Sequence, residues 1–529
     1  MKKIRNIFLL ATSLFAMSSC DQFLDVNTDP NNPSQPVLEL LLPATQVSLA
    51  VNIGGGTLNR VATVIMQHAT IGGFSRFDYT GATFQTNWNN LYSQALNDLE
   101  IIIKNGTEAK SFGYVGIAKI EKAYIYSVMV DLWGDVPYTE ASQGESNLTP
   151  KFDKGADIYK DLFRLIDEGI ADLNRNPYIS PGTADLFYRG DRTLWVRAAN
   201  TLKLKLLNQI RLVPAERDRV IRDINALIAS NQLITAGTQD WVFRFGTTET
   251  PQNRHPNHIS EYRATKDFYM DQGFMERLLN ADDLRLRYYV YRQNATAGVN
   301  FTTTGNGYGG RFTGDPTGIP ADNAQRSTFG IYPYGGLYDN NPIRNLPTTL
   351  QFLTNTGTNT PAAHRVVGTS DGSGAGIFPI ATSYLTNFIL AETALTLGTT
   401  GEARTYLRNG ITQHLQAINT FLTLPGNIGP QIPQATTDAF VNRILTQYDA
   451  ATTPADRLNL VMTQKYIAMY GNGIESYNDY RRTGIPTLMT PIAPVNPFPL
   501  RFLYSLRELT TNPNSPAQNN FITPVFWDL

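Results

Sequence analysis

Three consecutive stretches of the sequence decide the fold prediction: YLTNFILAETALTL (residues 384–397), GTTG (398–401) and EARTYLRNGITQHLQAINTF (402–421). In the first and third stretches, small and large apolar residues alternate at the three- and four-residue spacing of a helix face. Glycines open and close the short middle stretch, which suits a tight connection. The pattern therefore predicts two helices packed as a hairpin. The residues expected at their contact are Ala391, Ala394, Leu395, Ala403, Tyr406 and Ile411.

This hairpin resembles one unit of a tetratricopeptide repeat, in which two short helices pack against each other. The same apolar spacing predicts helices at 38–51, 57–69, 83–103, 114–133, 157–173, 192–210, 215–229, 268–279, 437–448 and 457–470. Residues 239–245 alternate between polar and apolar side chains as in a short strand. Between 231 and 379 the chain is rich in Gly, Thr and aromatic residues, which predicts an irregular, loop-rich insertion. The fold class is therefore mainly α, with few short strands.

The N-terminus has the pattern of an export signal. Lys2, Lys3 and Arg5 precede an apolar run at 7–17, which is too short to span a bilayer as a helix. Small residues then lead to Cys20, the sole cysteine, in a sequence that resembles a bacterial lipoprotein box. We expect residues 1–19 to be a signal peptide, Cys20 to be acylated and residues 20–36 to be a tether. The alternative is a secreted protein whose thiol has no role.

Charge and composition exclude some classes of function. The 529 residues carry a formal charge of −1, and removal of residues 1–19 takes away three basic residues, which leaves −4. No concentrated basic stripe is visible, so a nucleic-acid partner is not expected. A single cysteine allows no internal disulfide, and stability must come from packing.

Three further stretches occur in a fixed order after the lipoprotein box and Asp29-Pro30-Asn31. They are AKIEKAYIYSVMVDLWGDVPY (118–138), KYIAMYGNGIESYNDYRRTG (465–484) and LRELTTNPN (506–514). Together they resemble the SusD/RagB family of Bacteroidetes lipoproteins, over nearly the whole mature chain.

The resemblance implies a fold of about four tetratricopeptide-like helix pairs in a single domain, 37–529. Its scaffold would be 37–230 and 380–485, its ligand-binding part 231–379 and its extended C-terminal segment 486–529. The family also implies an outward-facing lipoprotein of the outer membrane that acts as the lid of a SusC-like TonB-dependent transporter. We interpret the Arg481-Arg482 pair as structural, at the end of an amphipathic helix beside Asp479 and Glu475.

Aromatic residues in loops are the remaining signal for a ligand. The C–H faces of sugars stack on aromatic rings while polar neighbours bind the hydroxyl groups. The candidate ligand-binding residues, in the two regions where this family tends to place its contacts, are Phe77, Tyr79, Tyr332, Tyr334 and Tyr338. The alternative for each of them is that the ring packs its loop onto the scaffold.

Two other functions stay open. Tryptophan is sparse in the loops, which favours peptide cargo over glycan to a small degree. A surface enzyme is the third hypothesis, but no catalytic constellation is complete. Residues 368–372 have the spacing of a nucleophile elbow without its strand and helix, and His255 and His258 lack a third metal ligand, so a surface loop is expected there. We therefore predict oligosaccharide binding without catalytic residues, cofactor or metal.

Overall fold

The computed structural model describes residues 37–263, 266–293, 307–316, 326–340, 366, 368–518 and 520–529. The expected signal peptide, Cys20 and the tether lie outside these residues. Most of the described chain is helical and its strands are short, which confirms the mainly α prediction.

The helices occur in two runs separated by the loop-rich part of the chain. In chain order they are α1 Leu38–Leu49, α2 Thr57–Ile65, α3 Gln85–Asn90, α4 Asn97–Glu108, α5 Phe112–Trp133, α6 Gly155–Leu173, α7 Arg192–Gln209, α8 Arg217–Ser230, α9 Pro256–Glu261, α10 Gln272–Asn280, α11 Leu286–Tyr289, α12 Ser383–Leu397, α13 Ala403–Phe421, α14 Gln434–Ala450, α15 Pro454–Ala468, α16 Gly473–Thr483 and α17 Leu506–Thr511.

The strands form four separate antiparallel pairs. In chain order they are β1 Ala69–Thr70, β2 Val136–Pro137, β3 Phe152–Asp153, β4 Trp241–Arg244, β5 Tyr269–Met270, β6 Val290–Tyr291, β7 Thr328–Phe329 and β8 Ile377–Ala381. β1 pairs with β5, β2 with β3, β4 with β8 and β6 with β7. The β1–β5 and β4–β8 pairs join segments that are far apart in sequence, and the β6–β7 pair flanks loops. These three pairs fasten the irregular parts of the chain.

The hairpin of α12 and α13 forms as its sequence predicts. The Oγ1 atom of Thr382 accepts a hydrogen bond from Leu385 N at 3.2 Å, which caps the start of α12. Gly398 ends that helix in the left-handed conformation, φ 68°. A Cβ atom at Gly410 would lie 3.1 Å from the Phe388 ring, so the absence of a side chain lets the two helices approach.

Three predicted elements differ in detail. The helix expected at 268–279 begins only at Gln272, because residues 269–270 form β5 and Asp271 then accepts a hydrogen bond from Phe274 N and caps α10. The helix expected at 83–103 continues to Glu108 and contains a π-helical stretch, Leu91–Leu96. The C-terminal segment expected to be extended contains α17, whose start Ser505 caps.

One large cluster of buried apolar side chains runs from Leu42 to Trp527 and includes rings from the loop-rich part of the chain. The helices and most described loops thus share a core. None of the helices in the described ranges is both long and apolar enough to cross a bilayer.

A buried ionic network joins α7, α12, α15 and α16. Arg482 binds both carboxylate oxygens of Glu392 at 2.9 Å, and Arg211 binds the same carboxylate at 3.0 Å. Lys465 Nζ lies 2.7 Å from Asp479 Oδ1. Burial raises the pKa of Glu392, but Arg482 and Arg211 outweigh burial and hold this pKa well below its usual range.

Arg481 and Arg482 are therefore structural and lie in the last turn of α16, where Arg482 pairs with Asp479 as the sequence indicates. Both side chains are buried. Arg481 donates to Asp131 O and to Leu500 O, each at 2.7 Å, and thereby ties α16 to α5 and to the C-terminal segment. Local spacing showed the pairing with Asp479 but not these partners, which lie far away in sequence.

Candidate functional site

Three loops meet on one side of the molecule and form a surface that we call the loop platform, residues 72–80, 307–316 and 487–496. The β1–β5 pair brings the first two loops together, because Thr70 pairs with Tyr269 and Ala69 with Met270. Backbone hydrogen bonds then continue from β5: Arg311 N donates to Met270 O at 3.1 Å, and Gln272 N donates to Arg311 O at 2.8 Å.

The third loop is held by hydrogen bonds to Gln67, in the turn after α2, and to the first loop. Gln67 Nε2 donates to Met489 O at 2.5 Å, and Met489 N donates back to Gln67 Oε1 at 3.0 Å. Arg76 Nε donates to Ala493 O at 2.6 Å, and Val495 N donates to Arg76 O at 2.7 Å. These bonds order a segment without regular secondary structure, so the platform has a defined shape.

Two residues at the same place have a strained backbone conformation. Gln67 has φ 57° and Phe77 has φ 59°, in the left-handed region that side-chain-bearing residues seldom adopt. Such conformations persist where the surrounding structure holds them and are frequent at binding sites. The hydrogen bonds of Gln67 to Met489, and the bond from Asn496 Nδ2 to Phe77 O at 2.9 Å, supply that support here.

The platform presents apolar side chains to solvent. Phe312 is 36% exposed, Met489 38%, Ile492 56% and Val495 49%. Charged groups adjoin them: Asp78 is exposed, and Arg76 is half-buried. Arg311 also adjoins them, with its guanidinium over the Tyr269 ring at 3.6 Å from the centroid. A surface of this kind can cover the apolar face of a ligand while charged groups at its rim bind hydroxyl or amide groups.

The platform rests on buried ionisable residues. Asp271, which caps α10, is fully buried, and burial raises its pKa to about 7. His68 is stacked on Tyr466 with ring centroids 4.4 Å apart, and burial lowers its pKa to about 3. At mildly acidic pH both side chains are thus held uncharged beneath the loops, which fits a supporting role.

The five aromatic residues predicted to bind ligand are all buried, with at most 8% of each exposed. Phe77 packs edge-on against Phe498, and Tyr79 against Phe521. The rings of Phe77 and Tyr79 therefore expose no face to solvent, although both residues belong to the first loop of the platform.

The other three predicted rings lie farther inside. Tyr332 packs edge-on against Phe421 in α13, with centroids 5.2 Å apart, and Tyr334 lies 4.7 Å from Phe329. Tyr338 packs against Tyr288 at 5.0 Å. In this structure all five rings pack their loops onto the scaffold, which is the alternative given for each of them. Their contact with a ligand stays a prediction.

The exposed residues of the third loop were missed in the sequence. Met489, Ile492 and Val495 recur every third residue among prolines at 491 and 494. Three residues per turn is the repeat of a polyproline II helix, so this spacing could have indicated one shared face. The sequence shows that Phe312 is an aromatic residue in a loop, but it does not show that the side chain is exposed to solvent.

The His255–His258 pair does not lie in a surface loop, contrary to expectation. Both residues are buried, and His255 Nδ1 accepts a hydrogen bond from Asn257 N that caps α9. His258 Nε2 lies 3.0 Å from Thr369 O. Within the described part of the chain, no three His, Cys, Asp or Glu side chains gather where they could hold a metal ion.

A separate cleft of about 590 Å³ lies between α3, the loop 141–150 and α17. Trp88 lines it but is almost fully buried, and its Nε1 donates to Glu508 Oε2 at 3.3 Å. Tyr92 OH is likewise used, in a bond to Pro137 O at 2.8 Å. The aromatic groups of this cleft thus serve the scaffold, and the loop platform is the better candidate.

Comparisons with known proteins agree with this architecture. A SusD-like family model described as "Starch-binding associating with outer membrane" matches residues 30–505. No curated protein sequence matches the chain. Among solved structures, a chitin-binding protein is 21% identical with a TM-score of 0.71, covering 93% of this chain and all of its own.

Two further structures are similar over the same extent. A SusD/RagB family protein from Bacteroides thetaiotaomicron is 18% identical, with a TM-score of 0.68 and coverage of 93% of this chain and 99% of its own. A chitin-binding SusD homologue from Flavobacterium johnsoniae is also 18% identical, with a TM-score of 0.65 and coverage of 92% and 98%. At this identity they establish the fold alone. The family model spans most of the sequence, and the chain therefore belongs to the SusD-like family.

Proposed function

We propose that this chain is a non-catalytic, lipid-anchored protein on the outer face of the outer membrane, which binds oligosaccharide at the loop platform. It delivers the bound glycan to a SusC-like TonB-dependent transporter, over which it closes as a lid. The observation that carries this proposal is the exposed apolar surface of Phe312, Met489, Ile492 and Val495, on two of the three hydrogen-bonded loops of the platform.

Oligosaccharide suits this surface because a sugar ring has an apolar C–H face and a polar edge. Phe312 would take the C–H face, and the aliphatic side chains of Ile492 and Val495 would extend that contact. Asp78 can accept hydrogen bonds from hydroxyl groups, and Arg76 can donate them. Relatives described as starch-binding or chitin-binding support the same class of ligand.

Peptide cargo is the second candidate, and one observation favours it. All five tryptophans of the chain are buried, so none provides the broad stacking face on which many sugar sites depend. Peptides depend more on backbone hydrogen bonds and small apolar pockets. The two candidates share the platform but differ in the ligand that it retains.

Calorimetric titration of the purified chain, from residue 21 onward, with malto-oligosaccharides, chito-oligosaccharides and mixed peptides separates them. We expect binding of one oligosaccharide class, with no cleavage products after prolonged incubation. Binding of peptides but of no oligosaccharide would indicate that the protein captures peptides instead. Turnover that Asp78→Asn abolishes would replace the binding role with an enzymatic one.

The anchor is tested separately with the full chain. Acyl chains on Cys20 would hold the protein at the membrane, and stable attachment takes more than one such chain. Cys20→Ala should give a folded protein that fractionates away from membranes. Membrane retention of this variant, at the level of the unchanged protein, would contradict the lipid anchor.

A further inference from the structure

A cleft of about 600 Å³ lies between the β4–β8 pair and the helix α13, and we call it the α13 cleft. None of the residues that line it belongs to the loop platform. Val242 and Arg244 line it from β4, because alternate residues of a strand lie on the same face. Ile377 lies on this face too, since it pairs with Arg244 across the sheet.

One face of α13 forms the opposite wall. Its lining residues have the three- and four-residue spacing of a helix face: Gln413, Gln416, Ala417, Thr420 and Phe421. The apolar part of the cleft is mostly aliphatic and comes from Val242, Ile377, Ala417 and Leu424. The cleft is thus large enough for a small molecule with an apolar body.

Two ionisable side chains line the cleft, and in the part of the chain that the structure describes neither forms an ion pair. Arg244 is exposed and makes no side-chain hydrogen bond there. Asp240, just before β4, is 9% exposed, and its Oδ1 accepts a hydrogen bond from Ser383 N at 2.7 Å. Burial raises the pKa of Asp240 to about 7, against smaller opposing effects of Ser383 and Arg244. A buried carboxyl group that lines a cleft without a cation is a candidate for ligand contact.

Neutral polar groups without partners lie along the same cleft. Within the described ranges, the side chains of Thr238, Gln416 and Thr420 make no hydrogen bond. Hydroxyl and amide side chains can each donate and accept. A ligand with alternating donors and acceptors, such as a peptide backbone, matches them.

A sugar or an acyl chain fits this cleft less well. Among its lining residues Phe421 is the one aromatic, but this ring is 3% exposed and packs against Tyr332, so it offers no stacking face. An acyl chain would leave Asp240 and the neutral polar groups against methylene groups, which costs free energy. The aliphatic floor and the two opposite charges favour a zwitterion with an apolar body.

The spacing of the two charged residues limits the length of such a ligand. Asp240 and Arg244 are four residues apart on an extended segment, so their Cα atoms lie at most about 14 Å apart. Two or three extended peptide residues span about 7–10 Å, which leaves room for a charge-assisted hydrogen bond at each end.

From this geometry, we propose that the α13 cleft binds a short peptide of two or three residues. Its ammonium group would contact Asp240, its carboxylate Arg244, and its apolar side chains Val242 and Ile377. The inference adds a second ligand site on the scaffold and does not rest on the proposed function, which concerns the loop platform.

Calorimetric titration of the purified chain, from residue 21 onward, with the free tripeptide Leu-Ala-Leu tests the site. The same peptide with an acetylated N-terminus and an amidated C-terminus is the uncharged control. We expect the free peptide to bind and the capped peptide to bind at least about tenfold more weakly, because it lacks both charged groups. Equal binding of the two, or no binding of the free peptide, would overturn the inference.

Two variants locate the bound peptide. Arg244→Gln should weaken its binding by at least about tenfold, whereas Arg217→Gln, at an exposed arginine outside the cleft, should not. Thr420→Trp keeps both charges but fills the cleft, and should abolish binding. Neither Arg244→Gln nor Thr420→Trp should change the melting temperature or oligosaccharide binding, since both positions are exposed and off the platform.

Unchanged peptide binding by Arg244→Gln or by Thr420→Trp would overturn the α13 cleft as a peptide site. Loss of peptide binding in the platform variant Phe312→Ala, Ile492→Ala instead would place the peptide on the platform and would likewise overturn it. Either outcome leaves the proposed function to its own test with oligosaccharides.

Discussion

Gln67 and Met489 exchange two hydrogen bonds although 422 residues separate them in sequence. The Gln67 amide satisfies both backbone groups of Met489, as a neighbouring strand would. The bonds connect the turn that follows α2 to the Pro-rich C-terminal segment. They fix the third loop of the platform, and the platform therefore depends on a side chain that need not touch the ligand.

Replacing Gln67 by Ala should loosen residues 487–496 without unfolding the protein. Loss of the two bonds leaves the Met489 amide without its partner, so its hydrogen exchange should become faster by about tenfold or more. Hydrogen-exchange mass spectrometry of the 487–496 peptide measures this effect. Exchange in peptides of α12 is the internal control and should not change. An unaltered rate at 487–496 would show that the Gln67 bonds do not hold the loop.

Removing the buried rings should cost stability rather than affinity alone. The test is the double substitution Tyr334→Ala, Tyr338→Ala. Because the structure buries both rings, we expect the pair to lower the free energy of unfolding by at least about 3 kcal/mol. Denaturant unfolding measures the loss, with Phe312→Ala as the exposed control. A stable double variant would mean that the rings are not core residues.

The buried carboxylate of Glu392 should be essential to the scaffold. Glu392→Gln keeps the shape but leaves Arg211 buried without an ion-pair partner and Arg482 with Asp479 alone, which should cost about 3–5 kcal/mol of stability. Thermal unfolding of the variant measures this loss. The exposed pair Arg404–Asp449 provides the control, because Asp449→Asn should leave the melting temperature unchanged. Equal effects of the two substitutions would contradict the structural role of the network.

Asp271 should make stability depend on pH in a defined direction. Burial raises its pKa in the folded protein to about 7, whereas an unfolded Asp has a pKa of about 3.9. Between these values the folded state holds a proton that the unfolded state has lost, so this contribution to stability is complete below about pH 4 and declines as pH rises to 7.

Asp271→Asn retains a capping side chain but cannot titrate. The free energy of unfolding of the unchanged protein minus that of the variant should therefore fall by up to about 1.4 kcal/mol per pH unit between pH 4 and 7. Urea unfolding at several pH values provides this difference. A difference that is flat or rises with pH would mean that the carboxyl group is not held protonated.

Sequence periodicity predicts the helices of the scaffold but not the residues of the binding site, and the reason is physical. The apolar spacing of residues such as Phe388 and Ile411 repeats locally, so the helices and the α12–α13 hairpin could be predicted. Whether Tyr332 is exposed depends on Phe421, which lies far along the chain and carries no matching local pattern. The platform likewise depends on carbonyl groups such as Met489 O, which every residue type has.

The loop platform should bind oligosaccharide without cutting it. The most direct test is calorimetric titration of the unchanged chain, the double variant Phe312→Ala, Ile492→Ala, and the exposed control Ile428→Ala with the same oligosaccharide. We predict that the double variant alone loses at least about tenfold in affinity, with its melting temperature unchanged. Equal affinity of all three proteins would contradict the assignment of the binding site to the platform.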